Sequence, residues 1–305
     1  MTPTGVDMTH SGMPRAQLSS GIELEYETFG DPGDPTLLLV MGFGAQLILW
    51  QESFCQLFVD AGFHVVRFDN RDCGLSSHLD GVEVDIGELM GAVLGDGPMP
   101  DVPYLLSDMA ADAIGLLDHL GVQRAHVMGA SMGGMIVQTM AIEYPERLAS
   151  VVSVMSTTGD RAVGAATDEA RAALLTPPPT DRDGYIEAST SSLVFGSKRY
   201  GDAELIRANA ARAYDRAFYP EGAPRQLAAI FASGDRTEAL RTVEVPTLVI
   251  HGRDDTLIDV SGGIATAEAI PGADLLVLAD MGHDMPEALW PQIVGAVIAH
   301  GRLHS

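Results

Sequence analysis

Lysine is almost absent from this chain. Of 18 basic residues set against 42 acidic ones only Lys198 is a lysine, and the formal net charge is −24. A surface this acidic repels polyanions, which argues against nucleic acid and anionic membrane as partners. Cysteine is scarce too. Cys55 and Cys73 cannot build a disulfide framework, their spacing is not Cys-x-x-Cys, and Cys55 sits among Phe54, Leu57 and Phe58 in a helical pattern that reads as core. There is no long hydrophobic run: the most apolar stretch, 37–50, is too short and too interrupted to span a bilayer, so no stable membrane insertion is expected. Residues 1–15 are polar and contain glycine and proline, without the charged segment and apolar run of a signal peptide. They are expected to form a flexible tail, and the cytoplasm is the expected compartment. Histidines are scattered, and there is no Gly-x-Gly-x-x-Gly after a strand and no P-loop, so neither metal nor cofactor is expected.

What remains is an ordinary globular balance, 46% hydrophobic and 20% charged, over 305 residues, enough for one large domain. Strand and helix signals alternate as a mostly parallel sheet requires. Residues near 16–28 read as an antiparallel hairpin, 36–41 and 64–68 as apolar strands, and 50–61 as a helix. Ser107 is expected to cap a helix presenting Met109, Ala113, Leu116, Leu117 and Leu120 on one face and stopped by Gly121. A strand over 125–128, a helix ending before Pro145 and a strand over 148–155 follow. Between 158 and 242 no good strand appears, only helical stretches such as 202–218 and 223–233 and the run Thr176-Pro-Pro-Pro-Thr180. Strands return near Val245 and Ala273, and a helix over 287–299 closes the chain. The division expected is a core of 16–157 and 243–305 with a helical cap of 158–242, since inserts of that length are usually functional or disordered and helical content favours the former.

The most informative residues are Gly129-Ala130-Ser131-Met132-Gly133, directly behind an apolar strand and directly ahead of a helix. This is the Gly-x-Ser-x-Gly elbow, which pushes a serine hydroxyl out of the sheet and sets the free N–H groups of a helix start beside it. Taken alone it is compatible with a plain small-residue turn. Two further strand ends change the weighing: Val245 to His251 leads to Gly252-Arg253-Asp254-Asp255, and Asp274 to Ala279 leads to Gly282-His283. The order serine, acid, histidine, each just past a strand's C-terminal end, places nucleophile, orienting acid and base at the ligand-facing edge of an open parallel sheet. Ser131 is the expected nucleophile and His283 the expected base. His251, its nearest rival, ends an apolar strand and reads as an interior residue. The acid is Asp254 or Asp255, adjacent and so pointing apart, with Asp259 a remote third. The Met132 N–H is one expected oxyanion donor.

From about Leu18 to about His300 the chain resembles α/β-hydrolase-fold serine hydrolases, a mostly parallel central sheet flanked by helices with a helical cap inserted between two late strands. Within them it is most similar to the aclacinomycin methylesterase-like and actinobacterial lipase/esterase-like proteins, through Phe29 to Gly42, Val66 to Ser76 and Met281-Gly-His-Asp-Met-Pro286. The resemblance implies a Gly-x-x-Asp acid at Asp255, counted from Gly252, and a second oxyanion donor at Phe43, where Met41 replaces the histidine many relatives carry. The turn Asp69-Asn-Arg71-Asp72-Cys-Gly74-Leu-Ser76 reads as structural, its arginine and aspartates pairing around the loop. The implied activity is hydrolysis of carboxylic esters by a Ser131–His283–Asp255 triad, on a small-molecule apolar ester: a methyl or small alkyl ester of an apolar acid, or a short-chain acyl ester. Leu193 to Phe195, Ile230-Phe231 and 88–94 either line its pocket or pack the cap onto the body. A homodimer remains open. The same residues serve thioester, lactone or carbon–carbon bond hydrolysis and cofactor-free perhydrolysis, and a non-catalytic ligand-binding protein of the same fold is the remote alternative.

Overall fold

In the centre of the sheet consecutive residues are buried on alternate faces: Leu37 and Leu39 against one set of helices, Leu38 and Val40 against the other. Such strands read as unbroken apolar runs because both faces are covered. The computed structural model describes residues 14–95 and 99–304. Its strands are β1 (Arg15–Gln17), β2 (Glu23–Phe29), β3 (Thr36–Val40), β4 (His64–Phe68), β5 (Ala125–Ala130), β6 (Leu148–Val154), β7 (Thr247–Gly252) and β8 (Asp274–Leu278). They form one sheet in the order β1-β2-β4-β3-β5-β6-β7-β8. β2 runs antiparallel to β1 and β4, and every pairing from β4 across to β8 is parallel. β3 thus lies between β4, which follows it in the chain, and β5. At that switch of direction the carboxyl ends of neighbouring strands leave a crevice where open α/β sheets take their ligands. The expected tail falls mostly on residues 1–13, outside the described residues; Arg15, placed in the tail, already opens β1.

The helices are α1 (Glu52–Val59), α2 (Ile86–Leu94), α3 (Leu106–His119), α4 (Met132–Glu143), α5 (Asp168–Leu175), α6 (Arg182–Ser189), α7 (Ala203–Ala217), α8 (Ala223–Ser233), α9 (Thr237–Leu240), α10 (Val260–Ala269) and α11 (Trp290–Leu303). Phe54, Phe58, Trp290 and Ile293 pack α1 and α11 on one face of the sheet, while α3 and α4 cover the other through Leu116, Leu117, Ile136 and Val137. Residues Met132 to Ala141 of α4 are all buried, as in a helix that lies inside the protein rather than on it. Leu105, not Ser107, caps α3, and the Asp108 carboxylate accepts the Leu105 N–H at 2.8 Å. That carboxylate also lies in the first turn, where the helix dipole favours negative charge. Among the described residues no helix is long and apolar enough to cross a membrane.

Helices α5 to α9 all lie between β6 and β7 in the chain. The two ends of this insertion run side by side. The Arg236 N–H donates to the Thr158 carbonyl at 2.9 Å, the Arg236 guanidinium donates to the Thr157 carbonyl, and a Cβ on Gly159 would strike the Gly234 carbonyl.

Candidate active site

The serine sits in strained backbone. Ser131, between β5 and α4, has φ +57 and ψ −119, a conformation that costs a non-glycine residue of order 1–3 kcal/mol. Its surroundings hold it there. The Ser131 N–H donates to the Val154 carbonyl at 2.9 Å, and its own carbonyl accepts the Ser156 hydroxyl at 2.9 Å and the Gly134 N–H at 2.9 Å. Both motif glycines are required by contact rather than by torsion. A Cβ at Gly129 would run into the Gly133 carbonyl, and one at Gly133 would run into the carbonyl of Val40 at the end of β3. Only without them can strand, elbow and helix approach this closely.

Three side chains from three strand ends meet here. Ser131 Oγ lies 2.9 Å from His283 Nε2, and His283 Nδ1 lies 2.7 Å from Asp255 Oδ2. Asp255 is almost fully buried, and its other oxygen accepts the Leu257 and Ile258 N–H groups, each at 2.9 Å. Burial alone would raise this carboxyl, but the His283 charge, hydrogen bonds from His251 and His283 and the Ile258 amide outweigh it and hold it down to about 2. With Asp255 ionised, Nδ1 of His283 is the protonated nitrogen, and Nε2 is left with a lone pair for the serine hydroxyl. The rivals lie elsewhere. Asp254 is turned toward Arg253, and Asp259 caps α10 by accepting the Ser261 N–H at 3.0 Å. His251 is wholly buried, donating from Nε2 to the Ile258 carbonyl at 2.8 Å and lying 3.5 Å from Asp255 Oδ2.

The turn after β3 is packed against the elbow: a Cβ on Gly42 would lie 3.0 Å from the Ala130 carbonyl and 3.2 Å from Ser131 Cβ. Phe43 follows directly. Met132 is the first residue of α4, so its amide is among the four that find no acceptor within the helix. Both backbone positions therefore border the serine.

The insertion reaches the same place. The His283 N–H donates to the Phe195 carbonyl at 2.7 Å, and the Phe195 ring stands edge-on to the imidazole with centroids 6.0 Å apart. Thr256 Oγ donates to the Val194 carbonyl, and Asp284 Oδ1 accepts the Ser197 N–H. Burial raises the Asp284 carboxyl, against the pull of those amide bonds and of His283. Ile230 packs on the core beside α3 and α4.

Residues 69–76 depart from expectation. Their charges do not pair with one another but reach outward. Arg71 forms a two-pronged bond with Asp112 of α3 at 2.6 and 2.8 Å, Asp69 accepts from Arg216 of α7 at 2.7 Å, and Asp72 accepts from Arg225 of α8 at 2.7 and 2.9 Å. Gln226, beside Arg225, accepts the Gly44 N–H at 2.8 Å and donates to the Arg71 carbonyl at 2.8 Å. Nothing in the sequence links positions some 150 apart.

Among the described residues no group of three or more His, Cys, Asp or Glu side chains could hold a metal ion. Cys55 and Cys73 are buried and free; burial pushes the Cys55 thiol up to about 12 and the Cys73 thiol up as well, away from nucleophilic thiolate chemistry. A surface groove of about 620 Å³ is lined by Asp80, Glu83, Tyr219, Glu221 and Arg225 among others, and neither Ser131 nor Asp255 nor His283 borders it.

A family model described as alpha/beta hydrolase fold matches residues 35–287. A rhodomycin D methylesterase from Streptomyces peucetius is 28% identical, over 95% of this chain and 99% of its own. A 3-oxoadipate enol-lactonase from Acinetobacter baylyi is 29% identical, over 84% of this chain and 85% of its own. Among solved structures, an esterase from Rhodococcus sp. ECU1013 is similar with a TM-score of 0.73 and 22% identity, covering 96% of this chain and 99% of that one.

Proposed function

Because the chain belongs to the alpha/beta hydrolase fold family, we propose that it is a serine hydrolase that cleaves carboxylic esters through Ser131, His283 and Asp255. The observation that carries this reading is the continuous chain from Ser131 Oγ to His283 Nε2, 2.9 Å, and from His283 Nδ1 to Asp255, 2.7 Å. A serine hydroxyl is a weak nucleophile until a base takes its proton, and here the base is in contact. His283 accepts the Oγ proton as Oγ attacks the ester carbonyl. The carbonyl π pair moves to oxygen, and the resulting oxyanion is met by the Met132 and Phe43 N–H groups. Collapse breaks the bond to the alcohol, which leaves with the proton from His283, and the acyl group stays on Ser131. Water then attacks with His283 again as base, and the acid departs. Asp255 keeps the imidazole in the tautomer this cycle needs and stabilises the imidazolium.

The similarity to rhodomycin D methylesterases supports a methyl or small alkyl ester of an apolar acid as substrate, with a short-chain acyl ester as the generalist form. Residues 158–242 act as the cap of this site, as the contacts of Phe195 and Ser197 with the His283 loop support. A lactone, which is an internal ester, would pass through the same steps, and the similarity to an enol-lactonase favours including it. The test is hydrolysis of p-nitrophenyl esters from acetate to palmitate, together with fluorophosphonate labelling, for wild type and Ser131→Ala. Loss of both turnover and labelling in the variant is expected; undiminished turnover in Ser131→Ala would sink the mechanism.

A further inference from the structure

We infer that Gln226 of α8 is a positioning residue for the oxyanion site, an amide from the insertion that sets the turn bearing the Phe43 N–H. The inference rests on the serine hydrolase reading above. Gln226 is completely buried, and its planar head spans the turns that leave β3 and β4: Oε1 accepts the Gly44 N–H and Nε2 donates to the Arg71 carbonyl, both at 2.8 Å.

The turn it holds is tight. The Ala45 N–H donates to the Gly42 carbonyl at 3.3 Å, and Gly44, third in that turn, has φ +64. A Cβ on Gly44 would meet nothing within 4 Å, so torsion alone asks for glycine there. A glycine with open space around it is free to turn its peptide unless something fastens it, and the Gly44 amide is fastened by Gln226. Gly44 itself is exposed, so water could replace the bond but could not fix its direction. The other end of the turn is locked by contact, Gly42 lying against Ala130 and Ser131. Phe43 sits between the two fixed points. Its N–H is useful only when aimed before the oxyanion forms, because preorganised donors cost no reorganisation in the transition state.

The chemistry of the head is specific. It must accept on one side and donate on the other. A primary amide does both, a protonated carboxylic acid does both, and a carboxylate cannot donate.

The experiment compares wild type, Gln226→Leu and Gln226→Glu on p-nitrophenyl acetate, with thermal melting and with inhibition by phenylboronic acid, which adds to a serine oxygen as a tetrahedral anion. In Gln226→Leu we expect kcat to fall about 10-fold to 100-fold, short of the factor of about 10² to 10³ for outright loss of a donor. KM should stay within about three-fold, and boronate affinity should weaken by the same factor as kcat. In Gln226→Glu the ratio of its kcat to that of wild type should be highest at low pH and fall as the carboxyl ionises, because only the neutral acid can replace the amide. Unchanged kcat, or a loss confined to KM with boronate affinity intact, would overturn the inference and leave the serine mechanism standing. A wild type neither labelled by fluorophosphonate nor active on any ester would overturn both.

Discussion

Asp255 carries two competing demands in one carboxyl group. It must be buried to hold His283 without water, yet it must stay ionised, and the His283 charge, hydrogen bonds from His251 and His283 and the Ile258 amide together meet the second demand. Its carboxyl, normally near 3.8, stands at about 2 in the fold. A depressed acid stabilises the fold above its unfolded value, so this contribution, of order 2 kcal/mol, is whole above pH 3.8 and lost as pH falls toward 2. Asp255→Asn removes it and frees the imidazole to take the wrong tautomer. Turnover of a p-nitrophenyl ester should drop about 10⁴-fold while the fold persists, measured alongside circular dichroism. Much at this scale could be read beforehand, because Ser131, an acid after Gly252 and His283 stand at strand ends in a recognisable order; in the sequence the choice of Asp255 over Asp254 rests on the family resemblance alone. Gln226 could not be. Its meaning lies in two backbone groups far away in the chain, and a single buried glutamine leaves no pattern.

Elements were legible in proportion to how strongly their burial repeats. β4 spans the residues its apolar run marks, and α8 spans 223–233 as expected. Two kinds of element escaped. Helix α5 is short and polar and exposes most of its residues, so no stripe announces it. Helix α10 hides behind Gly262 and Gly263, which its packing demands: a Cβ on Gly263 would enter the His251 ring. Poor local propensity there is the cost of laying a helix directly on β7. Ser107 was a reasonable cap by residue type, but the carboxylate of Asp108 reaches back to Leu105 and sets the start earlier. The sharpest test at this scale is Gly133→Ala. One methyl would drive the start of α4 against the Val40 carbonyl, and we expect a loss of about 3 kcal/mol or more, seen as a melting temperature lower by roughly 5–10 °C.

Across the whole molecule, charge is handled differently outside and inside. The acidic surface is left to water, while burial favours the neutral form of His64, His126 and His300. Burial, with His300 and Arg124 nearby, pushes His126 down to about 4, and burial lowers His64 and His300 as well. A base whose folded value is depressed stabilises the fold above its unfolded value, near 6.5, and that stability drains away as pH falls toward 4. His126 alone accounts for about 3 kcal/mol over that interval. Melting temperature should therefore decline steadily from pH 7 to pH 5, and His126→Leu should show a shallower decline; equal slopes for the two proteins would contradict the assignment.

The side-by-side termini of the insertion carry a last consequence. Because Arg236 ties the returning chain to Thr157 and Thr158, the loop is closed at its neck by bonds that lie outside helices α5 to α8. The entropy of closing a long segment grows only slowly with its length, and here it is absorbed at one knot on the rim of the sheet. A helical segment borrowed from a relative and spliced at 158 and 236 would leave the pairing of β6 with β7 untouched, but to keep the catalyst it would have to carry Gln226 and the Phe195 carbonyl with it, since both reach the catalytic edge from inside the insertion.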